Sequence, residues 1–344
     1  MTKGSRRVIG VLSICLILGQ VAIMAVPAVI VELTGQWSLD AAHIGWLGGI
    51  FFAGYAVGLP FLTSAASRID GRAAYAVSAA IAGIASLAFA FGAAGFWSAV
   101  VLRFAAGIGF SGIHIIGMKL MIDRLEGDSR PRAAAFYSAA YAIGSGGSFL
   151  IAGLLSSAFG WQTAFVSAGG GALLSIPLLL LIGPPLEGSQ IRSARWLPDF
   201  GAALREREIM RYVIAYSENT WEVFAIRVWF VPFLAFSGEL NGSATSWPPS
   251  VLAGVSAIAA VPVSIAVAEL ALRLGRDQVV LAVSFGSVCA CFFLGWLAAS
   301  PYRWFWLFSS CTAQPATAMP APSMAVSLLR PRRRPALLPW HSSD

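Results

Sequence analysis

The sequence predicts an all-α integral membrane protein built from about nine or ten transmembrane helices. One observation is composition: 58% of the residues are hydrophobic and only 11% are charged, whereas a soluble domain carries roughly a quarter charged residues. The other is that apolar runs about 20 residues long, the length that crosses a bilayer, recur between short polar or Gly/Pro segments. A chain of 344 residues cannot bury this apolar excess in one core, so lipid must solvate much of it.

Charge and motif content exclude several classes of function. The net charge of +7 would favour a nucleic-acid partner in a soluble protein, but here the basic residues lie in short gaps between apolar runs, where they act as topology signals. We therefore expect no nucleic-acid partner. The chain has neither a Gly-x-x-x-x-Gly-Lys-Ser/Thr phosphate loop, nor a His-rich metal motif, nor a Ser/His/Asp set, so we expect no enzyme activity, ATP drive, metal or cofactor. The cysteines show no metal or disulfide spacing: Cys15, Cys289, Cys291 and Cys311.

Six apolar runs precede the first long polar segment and predict an N-terminal six-helix bundle over residues 1–183. The first run, residues 8–31, is longer than the apolar region of a signal peptide and is predicted to be a retained helix. The other five predicted spans are residues 44–64, 73–93, 97–121, 133–157 and 161–182.

A second, incomplete bundle is predicted over residues 212–310, after a charged cytoplasmic linker at 184–211. Its predicted spans are residues 212–236, 250–270 and 279–299. A tenth span from residue 302 is disfavoured because Pro315, Pro320 and Pro322 follow closely, and proline inside a helix costs about 3 kcal/mol.

Basic residues alternate between the two sides of this predicted bundle. If the N-terminus is cytoplasmic, the outer loops hold only Arg303. The inner segments hold the tail arginines and Lys3, Arg6, Arg7, Arg68, Arg72, Arg124, Arg130, Arg132, Arg192, Arg195, Arg205, Arg207, Arg211, Arg273 and Arg276. One missed or extra span would invert this asymmetry downstream, so the pattern predicts a multi-pass inner-membrane protein with a cytoplasmic N-terminus.

Two short turns indicate an internal repeat. Residues 67–72 read Ser-Arg-Ile-Asp-Gly-Arg and residues 272–277 read Leu-Arg-Leu-Gly-Arg-Asp, about one half-molecule apart. A duplicated six-helix unit with a long linker between its copies explains both turns. The alternative is that short cytoplasmic turns favour Arg and Gly without any duplication.

Several motifs together resemble the major facilitator superfamily of transporters. The 67–72 turn resembles the family's signature between helices two and three, although Ser67 stands where Asp is usual. Residues 102–109, an Arg followed by a Gly-rich stretch, are similar to the helix-four motif, and residues 160–165, beginning Gly-Trp, resemble the start of helix six. A Trp-Glu pair at 221–222 resembles the seventh helix of a subgroup of bacterial carriers. The resemblance implies two pseudo-repeated halves of a nominal twelve helices, transporting a small solute by alternating access.

Charged residues within the spans are the first candidates for the mechanism, because each costs about 2.5–3.5 kcal/mol at a helix centre. The resemblance links Arg103 to proton coupling or to an anionic substrate; the alternative is an arginine that snorkels or pairs with a helix end. Glu218 and Glu222 are four apart on one helix face, so their repulsion favours a protonated carboxyl that can carry a proton. Glu222, the deeper of the two, is the preferred coupling residue.

Uncharged polar residues are candidates for the lining of a central cavity. By resemblance, Gln20, Tyr137 and Tyr141 are expected there, with ordinary interhelical hydrogen bonding as the alternative. His114 is interpreted as a hydrogen-bonded structural residue rather than a pH switch, and Lys119 as a snorkelling side chain. Glycines of the fifth span are expected to allow close helix approach and sliding: Gly144, Gly146, Gly147 and Gly153.

The charged turns are interpreted as conformational gates rather than as binding sites. Such a turn can pair with helix ends in one conformation and release them in the other. The predicted gate residues are Arg68, Asp70 and Arg72 in the first turn and Arg273 and Arg276 in the second.

From about residue 311 the chain turns to Ala, Pro, Ser and Arg, and no stable helix is predicted there. We interpret this tail as a truncation or reading-frame artefact; the rival is a basic tail that binds anionic lipid headgroups. The predicted function is proton-coupled transport of a small organic solute or drug, including efflux. The solute carries a negative charge on one interpretation of Arg103, and the transporter is expected to be a monomer in the lipid bilayer. The alternative is a transport-inactive remnant or interaction partner.

Overall fold

A computed structural model describes residues 3–127, 129–184, 204–240 and 247–274, together with isolated residues between 278 and 289. Within these ranges the chain is helical and contains no strand. The helices are α1 (Lys3–Trp37), α2 (Ala41–Arg68), α3 (Gly71–Gly92), α4 (Phe96–Asp123), α5 (Ser129–Phe159), α6 (Gln162–Leu178, continued by a 3₁₀ turn at Leu179–Ile182), α7 (Arg207–Leu240) and α8 (Pro249–Leu274).

Seven helices in the described ranges are long and apolar enough to cross a membrane: α1 to α6 and the 223–240 part of α7. The first six predicted spans are therefore confirmed. Most helices run several residues beyond their apolar runs, as α1 does beyond 8–31, because backbone hydrogen bonding continues through polar flanking residues that no longer face hydrocarbon.

The second half shows one difference from the prediction. The α7 helix begins at Arg207 rather than at residue 212, so the end of the predicted linker is helical. This is possible because Glu and Arg are good helix formers outside the bilayer. The α8 helix agrees with the predicted 250–270 span. The rest of the linker, most of the 279–299 span, the segment of the tenth span and the tail lie outside the described residues.

Short polar caps make the tight turns of the first six helices. At the α2 N-terminus, Asp40 Oδ1 accepts a hydrogen bond from the His43 backbone N–H at 2.8 Å, and His43 Nδ1 accepts the Asp40 N–H at 3.4 Å. The first of these bonds lowers the pKa of the Asp40 carboxyl. Asp70 caps α3 by accepting the Arg72 N–H at 3.0 Å. Gly183, with φ of 90°, ends the six-helix unit.

The first six helices pack around α1 and α4. The α1 helix contacts α4, α5 and α6, while α2 and α3 pack on either side of α4. The α2–α4 contact depends on glycine: a Cβ on Gly54 would lie 2.9 Å from the Phe104 carbonyl carbon, and one on Gly107 would lie 2.9 Å from the Phe51 carbonyl carbon. Small residues allow backbones this close in membrane bundles.

The bundle has two ends, which we call the Arg6 end, where α1 begins, and the Trp37 end, where α1 finishes. The described contacts of α7 and α8 with the first six helices include several toward the Trp37 end. A Cβ on Gly153 of α5 would lie 2.7 Å from Ser250 Cβ of α8, and a Cβ on Gly48 of α2 would lie 2.8 Å from Val228 Cγ2 of α7. The two halves therefore approach closely at the Trp37 end.

Candidate functional site

Arg103 is buried in the middle of the six-helix unit, with 2% of its surface exposed. Its Nη1 donates to the Ala22 carbonyl at 2.6 Å and its Nη2 to the Ile23 carbonyl at 3.1 Å. The guanidinium carbon lies 4.5 Å from the centre of the Phe51 ring, within the range of a cation–π contact. The arginine thus neither snorkels nor pairs with a helix end, because it joins α4 to the middle of α1.

Pro27 explains why α1 presents carbonyls to Arg103. Proline has no backbone N–H, so Pro27 cannot donate to the carbonyl four residues earlier, which is that of Ile23. An unpaired carbonyl in a membrane helix must find another donor. Arg103 supplies it. Its Nε, in contrast, has no hydrogen-bond partner within the described part of the chain.

Ser148 of α5 binds the same stretch of α1. Its Oγ donates to the Val21 carbonyl at 2.8 Å and accepts the Met24 N–H at 3.1 Å. Residues 21–24 of α1 are therefore held from both α4 and α5, which fixes the position of Gln20 one residue earlier.

A group of polar side chains, which we call the central cluster, lies at the middle of the helices. Gln20 is the central residue of α1, and Tyr55 and Ser145 lie at or next to the centres of α2 and α5. Gln20 and Ser145 are buried, whereas the others are half-buried. The central cluster comprises Gln20, Tyr55, His114, Tyr141, Ser145 and Arg227.

Hydrogen bonds and ring contacts connect the cluster across four helices. Gln20 Nε2 donates to the Tyr141 carbonyl at 2.9 Å. The Tyr141 and His114 rings stack with centroids 4.8 Å apart and an interplanar angle of 29°, and Tyr55 Oη lies 3.1 Å from His114 Nδ1. His114 is thus a hydrogen-bonded residue, as interpreted from the sequence.

Arg227 brings α7 into the cluster. Its Nη1 donates to Ser145 Oγ at 2.5 Å, and its guanidinium carbon lies 5.9 Å from the Phe224 ring centre. Tyr141 and Ser145 are one helical turn apart on α5, so they present one face to α7. The second half of the chain thereby contributes a cation to a site built mainly by the first half.

The structure brings together only some of the predicted site residues. Gln20 and Tyr141 lie in the cluster. Tyr137 is buried beside it and donates to the Ile113 and His114 carbonyls at 3.3 and 3.0 Å, joining α4 to α5. Glu218 and Glu222 lie on α7, but their side chains are outside the described residues.

Sequence reasoning did not identify Tyr55, Ser145 or Arg227 as members of the site. For Arg227 the signal was present, since it is a charged residue within a predicted span. Tyr55 and Ser145 gave no comparable signal, because Tyr and Ser are common in membrane helices.

The first charged turn binds the end of the six-helix unit. Arg72 Nε lies 3.3 Å from Asp70 Oδ2, and Arg72 Nη1 donates to the Gly183 carbonyl at 2.7 Å. Arg124 Nη2 donates to the Pro184 carbonyl at 3.2 Å. The turn is thus tied to the point where the chain leaves the first half.

The remaining predicted gate residues, together with Ser67 and Lys119, make local contacts or lie outside the described residues. Ser67 Oγ donates to the Thr63 carbonyl of its own helix at 3.1 Å, and Arg68 is a half-buried residue at the end of α2. Arg273 forms an exposed pair with Glu269 at 3.1 Å, while Arg276 is outside the described residues. Lys119 pairs with Asp123 at 2.6 Å.

A mostly apolar groove of about 420 Å³ opens between α1 and α5 at the Arg6 end. Its lining residues are Arg6, Ile9, Gly10, Ser13, Ile17, Phe136, Ala139, Ala140 and Ile143. On α1 this face leads from Arg6 through Ile17 toward Gln20, so the groove runs toward the central cluster.

The described residues hold no group of three or more His, Cys, Asp or Glu side chains that fits a metal ion.

Comparison with known proteins gives one partial sequence relative. The niacin transporter NiaP of Acinetobacter baylyi is 28% identical over 145 residues, which is 41% of this chain and 32% of that protein. The chain therefore spans about a third of the length of this relative.

Solved structures and a family model cover far more of the chain. A bacterial homologue of the human lysosomal transporter Spinster, inward-facing and unoccupied, superposes with a TM-score of 0.70 at 19% identity, covering 96% of this chain and 79% of that one. The xylose transporter XylE from E. coli, partially occluded and inward open, gives 0.67 at 16% identity, covering 94% and 87%. These similarities show the fold. The family model described as Major Facilitator Superfamily matches residues 11–338, and the chain belongs to that superfamily of membrane transporters.

Proposed function

We propose that this protein is a secondary active transporter that moves a small organic solute by alternating access, driven by a proton gradient. The observation that carries the proposal is the central cluster. Polar groups from α1, α2, α4, α5 and α7 meet at the middle of apolar helices and include side chains from both halves. Transporters of this architecture bind their substrates near the bilayer midplane, between the two halves.

The packing supports an inward-facing arrangement. Close contacts join the halves at the Trp37 end, and the groove opens at the Arg6 end. Because the turns at the Arg6 end carry most of the arginines, we assign that end to the cytoplasm of the inner membrane. The route that we propose for a solute in the cell runs along this groove toward the central cluster, while the close contacts at the Trp37 end restrict access from the opposite side.

We assign proton coupling to Glu222, with Glu218 one turn away on the same helix. Carboxylates four residues apart on one helix face disfavour the doubly charged state, so one of the two is expected to take up a proton readily. Arg103 is assigned to holding α1 in the geometry that coupling requires. Arg68, Asp70 and Arg72, with Arg273 and Arg276 in the second half, are assigned to the gate.

Uptake into proteoliposomes tests the proposal. Radiolabelled niacin, D-xylose and a nucleoside are presented with and without an imposed pH gradient, because relatives or fold neighbours of this chain are named as transporters of these solutes. Accumulation of at least one solute should follow the gradient and collapse with an uncoupler. Inverting the gradient tests for efflux. No movement of any solute in either direction would support the alternative, a transport-inactive remnant.

The Glu222→Gln variant tests the coupling assignment. It should abolish gradient-driven accumulation but leave solute exchange at equal pH, because the amide cannot carry a proton. Glu239→Gln, a change at an exposed position of the same helix, is the matched control and should behave as the unsubstituted protein. Accumulation that survives Glu222→Gln would remove this residue from the mechanism.

A further inference from the structure

We propose that the central cluster binds a small monoanion with a planar ring, such as an aromatic carboxylate. Arg227 and Ser145 bind the acid group, and the His114–Tyr141 ring pair binds the ring. The inference rests on the proposed transport function for the role of the site and narrows the class of its substrate.

The charge of the site favours an anion. Arg103 and Arg227 both lie within membrane-spanning helices, and Arg103 is occupied by two carbonyls of α1. Arg227 donates to a neutral hydroxyl of Ser145, and none of the carboxylates described by the structure forms an ion pair with it. A guanidinium has five donors in a planar fork that matches a carboxylate. The site therefore offers a positive charge without a described counter-ion.

Glu222 and Arg227 do not lie on the same face of α7. Five residues separate the two on α7, so helical geometry places them about 140° apart around the axis. Pairs on one face are three or four residues apart. The face of α7 that carries Phe224, Arg227 and Val228 packs against the first half, where Phe224 lies 4.1 Å from the Phe52 ring centre.

The ring contacts favour a planar substrate. His114 and Tyr141 are stacked and half-buried, so part of the surface of each ring is accessible, and Tyr141 lies one turn before Ser145, which Arg227 contacts. Aromatic faces bind flat rings in offset or edge-to-face geometry. Tyr141 and Ser145 are about 6 Å apart along α5, a separation that one ring with a directly attached acid group spans.

Binding to the purified full-length protein tests the proposal without any variant. Benzoate, benzamide, cyclohexanecarboxylate, acetate and D-xylose are compared at equal ionic strength by isothermal titration in detergent micelles. Benzoate should bind at least tenfold more tightly than benzamide, which lacks the charge, and several-fold more tightly than cyclohexanecarboxylate, which lacks the flat ring. Equal binding of benzoate and benzamide, or no binding of benzoate, overturns the proposal.

Variants then locate the site. Arg227→Gln should weaken benzoate binding about tenfold or more, the range expected when a charged hydrogen-bonding partner is lost, and Arg227→Lys should weaken it less. Tyr141→Leu should remove the preference for benzoate over cyclohexanecarboxylate. Arg132→Gln, a change at an exposed position near the start of α5, is the charge-matched control. Benzoate affinity that is unchanged in Arg227→Gln overturns the assignment of the acid group.

The two proposals fail in different ways. Benzoate binding that depends on Arg227, without uptake of any tested solute into proteoliposomes, contradicts transport and leaves the ligand class supported. Gradient-driven uptake of D-xylose with no binding of benzoate contradicts the ligand class and leaves transport supported.

Discussion

Arg103 and Pro27 lie on different helices, and each compensates for a cost that the other incurs in an apolar environment. Pro27 removes the amide that would pair with the Ile23 carbonyl, and Arg103 carries a charge into the bundle. Their contact supplies the carbonyl with a donor and the cation with acceptors. The contact between Arg103 and the Ile23 carbonyl therefore contributes to the stability of the fold, and this contribution can be measured independently of transport.

We predict that the effects of Arg103→Ala and Pro27→Ala on stability are not additive. Arg103→Ala alone should lower the free energy of unfolding by about 1–3 kcal/mol or more, the cost of leaving buried carbonyls without a donor. In a Pro27→Ala background the restored amide of residue 27 can pair with Ile23, so the same substitution should cost less. The measurement is a double-mutant cycle of denaturant unfolding in detergent.

Equal costs in the two backgrounds would show that Pro27 is not the reason for the Arg103 contact. Ser148→Ala serves as a control because its bonds with Val21 and Met24 lie on the same stretch of α1 but do not involve the carbonyl that proline frees. Its effect should be similar with and without Pro27.

The sequence predicted which buried polar residues were candidates for the site, but not which residues they contact. Arg103, Gln20 and Tyr141 were identifiable because polar or charged side chains are costly within apolar runs. The contacts of Arg103 with Ile23, of Gln20 with the Tyr141 carbonyl and of Tyr141 with His114 were not. Each of these pairs joins two helices whose rotation about their axes is set by packing. Hydropathy carries no information about that rotation.

The contact between α2 and α4 shows how glycine sets the distance between two helices. We predict that Gly54→Ala lowers the midpoint of thermal unfolding strongly or prevents accumulation of folded protein, because the added methyl group would overlap the Phe104 carbonyl. Overpacking of this kind costs about 1–3 kcal/mol or more. Gly49→Ala, on the same helix with nothing within 4 Å of the added Cβ, is the matched control and should be neutral or stabilising. Similar midpoints for the two variants would contradict this packing.

The existence of the first eight helices was predictable, because a 20-residue apolar run with polar flanks has few other solutions in lipid. Helix ends were predicted less well. The start of α7 at Arg207 lies in a charged segment, and hydropathy marks where the bilayer ends rather than where the helix does.

The arrangement of the whole molecule depends on which end faces the cytoplasm. We predict that a membrane-impermeant thiol reagent added to intact cells labels Ala94→Cys but not Glu126→Cys. Both are exposed turn positions that flank α4, and the distribution of basic residues places Glu126 inside. Permeabilised cells, in which both should react, provide the control. Labelling of Glu126→Cys alone in intact cells would invert the proposed topology.

Alternating access requires that closing one end of the bundle opens the other. In this structure Val228, which packs against Gly48 toward the Trp37 end, is 8% exposed, whereas Ile143, in the wall of the groove that opens at the Arg6 end, is 50% exposed. If the halves move as two rigid bundles, the reactivities of cysteines at these positions should change in opposite directions.

We predict that Gly153→Leu reverses this pattern in a background without the native cysteines. The α5–α8 contact at the Trp37 end leaves no room for a side chain at residue 153, so a leucine there should force that end apart and shift the population toward the opposite state. Labelling of Val228→Cys should rise several-fold, and that of Ile143→Cys should fall. Gly147→Leu, on the same helix with open space around the added Cβ, should leave both rates unchanged. A simultaneous rise at both positions would indicate that the leucine loosens the bundle, and it would contradict a coupled two-state movement.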